Sequence, residues 1–257
     1  MLFLLKLSLV PALVLSVSLA GRRWGPRVGG LLTSFPIVTG PALFFFAVEQ
    51  GDVFAAEAAR AVLVGLVGVA ASGVTYAWTS LRTPWWISLT ASWASFAAVT
   101  LPLQSVRWTA SSALAVAVGS FIVAQMALPV SGSHAPTRPP VWDLPLRVIS
   151  SMILVVSVTA LAGRLGPTLS GAFTPFPVAL ATLLAFTHAQ QGSSTAIRFL
   201  RGFLPGMWSF AAFCFVATLT LASMGRWLGF LLALASVLPI QAAVLWWIRR
   251  VQPARDA

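Results

Sequence analysis

Nine apolar runs of roughly 20 residues, parted by short gaps and one longer connection at 131–143, govern what this chain can become. They lie near 3–20, 28–48, 55–78, 84–104, 108–130, 144–161, 169–189, 200–222 and 227–248. A bilayer core of about 30 Å asks this length of a helix, whereas a barrel needs short segments of alternating polarity, which the sequence lacks. Composition agrees. With 58% apolar and 8% charged residues, the chain has too few charges to clothe a soluble domain of 257 residues. The expected class is an all-α polytopic membrane protein whose first partner is the lipid bilayer.

The formal net charge of +11, from 16 Lys+Arg against 5 Asp+Glu, would point to nucleic acid in a soluble chain. Here nearly all the arginines fall in the gaps between apolar runs, where they anchor helix ends at headgroups and set orientation. No nucleic-acid partner is expected. The single cysteine, Cys214, lies inside an apolar run, so neither a disulfide nor a cysteine-built metal site is expected. Residues 1–20, with Lys6 and Ser18-Leu19-Ala20, imitate a signal peptide. The same pattern recurs in mid-chain where nothing could be cleaved, so 3–20 is read as a retained helix.

That recurrence is part of an internal repeat. Gly25-Pro26, Gly30, Thr33, Phe35-Pro36, Phe45 and Gln50-Gly51 align at one constant offset with Gly166-Pro167, Gly171, Thr174, Phe176-Pro177, Phe186 and Gln191-Gly192. Arg60 falls on Arg201, Gly65 on Gly206 and Lys6 on Arg147. So many matches among helix breakers and polar residues do not follow from apolar bias. Spans one to four therefore correspond to spans six to nine. The first repeat covers 1–104, a linking helix and loop 105–143, and the second repeat with its basic tail 144–257. Four crossings followed by one linking helix start the second copy on the opposite side, which makes the repeats inverted, a recurrent architecture of secondary transporters. The segment 131–143, with Pro136, Pro139 and Pro140, reads as an exposed linker.

Counting basic residues in alternate loops orients the chain. An N-terminus outside puts eleven arginines on the cytoplasmic side and leaves Lys6, Arg60, Arg107, Arg164 and Arg226 on the other. The expected location is a bacterial inner membrane, multi-pass, N-outside and C-cytoplasmic.

The second helix of each repeat is the candidate functional element. It carries Gly29, Gly30, Pro36, Gly40 and Pro41 in one copy, and Gly171, Pro175 and Pro177 in the other. Proline removes a backbone donor and frees a carbonyl one turn back, so such helices kink or break. Either the freed groups, with Thr33 and Thr174, bind a substrate or ion near the midplane, or the breakers merely let helices pack closely. Both helices end in polar clusters, which mark the headgroup boundary; Gln50 and Gln191 recur there in both copies, and His188 is a candidate proton relay. The third helix carries Glu57 and Arg60, three apart and on one face, and its counterpart carries Arg198 and Arg201. Arg60 and Arg201 either hold an anionic group together by bidentate hydrogen bonds or snorkel to headgroups. Gln104, Gln125 and Gln241 are expected to make interhelical hydrogen bonds.

No phosphate-cradling G-x-x-x-x-G-K-[ST], no H-E-x-x-H and no G-x-S-x-G occurs, so an enzyme is not expected and no cofactor is implied. The stretch Gly30-Leu31-Leu32-Thr33-Ser34-Phe35-Pro36, with Ala47-Val48-Glu49-Gln50-Gly51 and then Arg60, resembles the small bacterial GlpM-like membrane proteins. The second unit fits through Gly171, Phe176-Pro177, Gln191-Gly192 and Arg201, with Gln190 where the first has Glu49. The resemblance implies a fused tandem of a protein that otherwise pairs with itself. Together these features lead to the expectation of a small secondary transporter or permeation protein for a small molecule that the sequence does not identify, an anion if Arg60 and Arg201 bind it. The rival expectation is a non-transporting accessory protein of an envelope or polysaccharide export assembly.

Overall fold

The computed structural model describes residues 2–130, 140, 142–165 and 178–251. Every regular element among them is an α-helix: α1 (Leu2–Trp24), α2 (Pro26–Thr33), α3 (Thr39–Gln50), α4 (Asp52–Thr79), α5 (Trp85–Gln104), α6 (Ala110–Ala127), α7 (Asp143–Leu165), α8 (Val178–Gln191) and α9 (Ser193–Val251). Four helices among the described residues are long and apolar enough to cross a bilayer: α4, α5, α6 and, within α9, Ser193–Trp246. At 59 residues α9 holds about 90 Å of helix, far more than one crossing needs. It turns at Gly225 (φ 76°, ψ 167°), and Thr220 Oγ1 donates to Gly229 O across the turn at 3.3 Å. Trp227, Leu231, Leu234 and Leu238 of its second arm are each more than half exposed. Water would penalise such a surface and hydrocarbon does not. The chain is an α-helical, membrane-embedded protein.

The run 28–48 is not one helix. Pro36 has no N–H to give to Leu32 O, and the ladder stops at Thr33. Phe35 N turns back to Leu32 O at 3.3 Å and Ile37 N to Phe35 O at 2.8 Å, and helix resumes at Thr39. Two other joints need a glycine. Gly51 (φ 95°) links α3 to α4 and Gly192 (φ 82°) links α8 to α9, in a backbone region that side chains rarely enter. At both, the residue four further on donates back to the glycine carbonyl, Ala55 at 3.2 Å and Ala196 at 3.3 Å. The limits of α1 and α7, and the ends of α3 and α8, are set apart by one and the same sequence separation.

At the centre, α4 packs against α5, α6 and α9. It is rich in Gly, Ala and Val, and its buried face includes Leu63, Leu66 and Tyr76. Lipid offers no hydrophobic drive between helices, so association depends on backbones coming close at small residues. A methyl on Gly68 would collide with Thr100, and one on Gly30 or Gly202 would collide with backbone of Phe199 or Arg27. The helix read as a link between repeats, α6, is itself part of this core through Ala113, Ala117 and Phe121.

Polar contacts define two ends of the bundle. At one, Gln104 Nε2 donates to Ala61 O at 2.8 Å, and Arg226 Nε meets Asp52 Oδ1 at 3.0 Å. At the other, Trp78 Nε1 donates to Ala127 O at 2.8 Å, Arg201 Nη2 to Pro129 O at 3.0 Å, and Tyr76 Oη to Leu184 O at 3.2 Å. We call these the Arg107 end and the Arg147 end. Most of the expected linker, and the first part of the seventh run, lie outside the described residues.

Candidate functional site

The α2 side of the break is buried and polar. Thr33 Oγ1 donates to Gly29 O at 2.8 Å, and Ser34 Oγ donates to Leu31 O at 2.6 Å, so both hydroxyls are spent on the helix that ends there. Leu31 O also accepts from Gln241 Nε2 at 3.3 Å, and Ser209 Oγ donates to Gln241 Oε1 at 2.6 Å. A carbonyl at the end of a helix thus finds its partner in an amide from the second arm of α9. Gln104 and Gln241 make the interhelical bonds their positions suggested, while Gln125 Nε2 is buried without a hydrogen-bond partner. Pro36 is buried, and Gly206 lies against Ser34. Thr174 and Pro177, the counterparts in the second repeat, lie outside the described residues.

Glu57 and Arg60 sit elsewhere, in a cleft of about 850 Å³ at the Arg107 end. Because α4 begins at Asp52, they occupy its second and third turns rather than its start. Arg60 Nη2 stands 3.9 Å from Glu57 Oε1, the outer limit of an ion pair, and both side chains reach solvent. Gln104 and Arg107 complete the polar lining, and Phe46, Phe54 and Trp108 supply an aromatic wall. Pro36 is not part of this lining. Gln50, at the exposed end of α3, closes the helix before Gly51.

Arg198, Arg201, Gln191 and His188 belong to the opposite end. Arg198 Nη2 donates to Thr195 Oγ1 at 3.0 Å, and Gln191 O accepts from Thr195 Oγ1 at 3.1 Å. His188 Nδ1 lies 3.3 Å from Tyr76 Oη, with the rings edge to face. Arg201 meets Pro129, just beyond α6, whereas Arg60 shares its cleft with Trp108, just before α6. The 18 residues of α6 hold the two apart by about 27 Å. One anionic group therefore cannot bridge Arg60 and Arg201, which corrects the expectation of a shared ligand. Helix parity had already assigned them to opposite faces.

Among the described residues, the most buried charges were not among the expected site residues. Asp143, 1% exposed at the start of α7, receives Arg147 Nε on Oδ1 and Arg22 Nη2 on Oδ2, each at 2.7 Å. Arg147, 4% exposed, reaches toward Leu183 O and Thr187 Oγ1 at 3.5 Å, with Phe186 beneath its guanidinium at 5.4 Å. The cluster pins α1, α7 and α8 together. One signal could have found it: Asp143 and Arg147 are four apart, the spacing of a helical ion pair. Among the described residues no group of three or more His, Cys, Asp or Glu is placed to hold a metal. Compared with family models, with curated proteins and with solved structures, the chain matches none of them.

Proposed function

We propose that this chain is a small secondary transporter or permeation protein of the bacterial inner membrane, moving a small anionic solute. In this reading it crosses the bilayer nine times, N-outside and C-cytoplasmic, as two inverted four-helix repeats joined by α6. The observation that carries it is the discontinuous second helix, α2 and α3, broken at the Phe35-Pro36 step, whose proline is buried and whose phenylalanine is half-buried. Such broken helices recur at the binding sites of transporters, and irregular backbone at membrane depth demands either protein packing or a cavity. The matched limits of α1 and α7 and the twin glycine joints support two copies of one unit. Nine alternating crossings are supported by the cross-helix polar contacts, each of which joins helix ends assigned to the same face. On this reading the resemblance to the GlpM-like proteins reflects a fused tandem, and the Arg107 end faces outward.

A second reading has its own observation. Around the break, Gly30, Gly202 and Gly206 bring α2 onto α9 with no space for a methyl, as a purely structural joint would. That favours a non-transporting accessory protein of an envelope or polysaccharide export assembly, which would copurify with a partner in fixed stoichiometry. Flux into proteoliposomes decides. Uptake of organic anions by the wild-type chain, reduced at least about tenfold in Arg60→Gln, supports transport. No flux across a broad panel of anions, together with a stoichiometric partner, rejects it.

A further inference from the structure

We propose that the cleft at the Arg107 end binds a monoanionic, oxygen-bearing headgroup, a carboxylate or phosphodiester, attached to an apolar body. The inference deepens the proposed function by naming the class of solute, and it rests on that reading only for the step of movement across the membrane.

Charge comes first. Arg60 and Arg107 against Glu57 leave one net positive charge in the lining, which suits a monoanion. The Glu57–Arg60 contact is long and reaches solvent, so it is weak and readily exchanged for a bidentate bond to a ligand oxygen. Both α4 and α6 begin at this end, and the partial positive charge of a helix N-terminus adds to the same preference.

The apolar wall sets the other half of the ligand. Phe46, Phe54, Val62, Val64 and Trp108 line the cleft beside the charges. Trp108 Nε1 is tied to Leu103 O at 2.7 Å and Gln104 Nε2 to Ala61 O at 2.8 Å, so these walls stand ready without rearrangement. A volume of about 850 Å³ falls in the range of small-molecule sites. A compact inorganic anion would satisfy the arginines and leave the aromatic wall uncovered.

The same chemistry is offered by an anionic phospholipid and by a free amphiphilic acid. Full-length protein in phosphatidylcholine nanodiscs is titrated with octanoate by calorimetry, and its retention of phosphatidylglycerol is read by native mass spectrometry. We expect saturable binding of at least one probe, weakened about tenfold per arginine in Arg60→Gln/Arg107→Gln, and a Trp108→Ala variant that loses preference for octanoate over acetate. Phosphatidylglycerol alone identifies a lipid site, and octanoate alone a solute site. Arg107→Gln, at an exposed residue, serves if the double variant does not fold. The proposal fails if neither probe binds, if folded arginine variants bind as tightly as wild type, or if acetate and sulfate bind as tightly as octanoate. Binding without flux leaves this site standing and rejects transport, whereas flux without binding does the reverse.

Discussion

Replacing Asp143 by Asn removes the carboxylate that both Arg147 and Arg22 contact while keeping size and shape. Arg147, with its side chain 5% exposed, then lacks a countercharge, whereas Arg22 is 31% exposed and stays hydrated. Two unit charges about 4 Å apart interact by about 4 kcal/mol at an effective dielectric constant near 20. Removing one partner of a buried pair typically costs about 3–5 kcal/mol, and an exposed partner contributes under about 1 kcal/mol. Asp143→Asn should therefore destabilise the fold by about 3–5 kcal/mol and Arg22→Gln by no more than about 1 kcal/mol. The combined Asp143→Leu/Arg147→Met should recover most of the loss, since an apolar pair leaves no charge buried. Reversible unfolding of the full chain, in mixed micelles titrated with denaturing detergent, measures all three. Equal losses for Asp143→Asn and Arg22→Gln, or a double variant worse than Asp143→Asn, would refute the argument from burial.

Two pairs of substitutions, each with a control on α6, probe the packing that holds the broken helix. Gly202→Ala sets a methyl against the Arg27 backbone and should cost about 1–3 kcal/mol in the same unfolding assay. Gly119→Ala, whose methyl meets nothing within 4 Å, should be neutral or stabilising. Gln241→Leu forfeits the bonds with Ser209 and Leu31 O and should cost about 0.6–1.7 kcal/mol, while Gln125→Leu, which removes an unpartnered buried amide nitrogen, should cost nothing or stabilise. A Gln125 variant less stable than the Gln241 variant would count against the assigned network.

What could be read along the chain was local. Apolar length and glycine or proline punctuation located the helical stretches, because a helix in lipid must satisfy its own backbone bonds and ends where they cannot be made, although the run 28–48 forms two helices and the last two runs lie in one element, α9. The Phe35-Pro36 break followed from one missing N–H, and the closures at Gly51 and Gly192 from one permissive residue each. Only the tertiary structure decided which helices touch, since between apolar surfaces in lipid the choice turns on close approach and a few polar contacts. Gln241 was legible as a hydrogen-bonding residue, yet its partner Leu31 O lies more than two hundred positions away. Arg60 and Arg201 align in the repeat and differ by helix parity, while the length of α6 between them is what the structure adds. Arg22 on α1 and Asp143 on α7 are 121 positions apart and share a salt bridge, and Arg60, Arg107 and Trp108 share a cleft. Charge pairs and clefts of this kind are made by packing, and no local pattern encodes them.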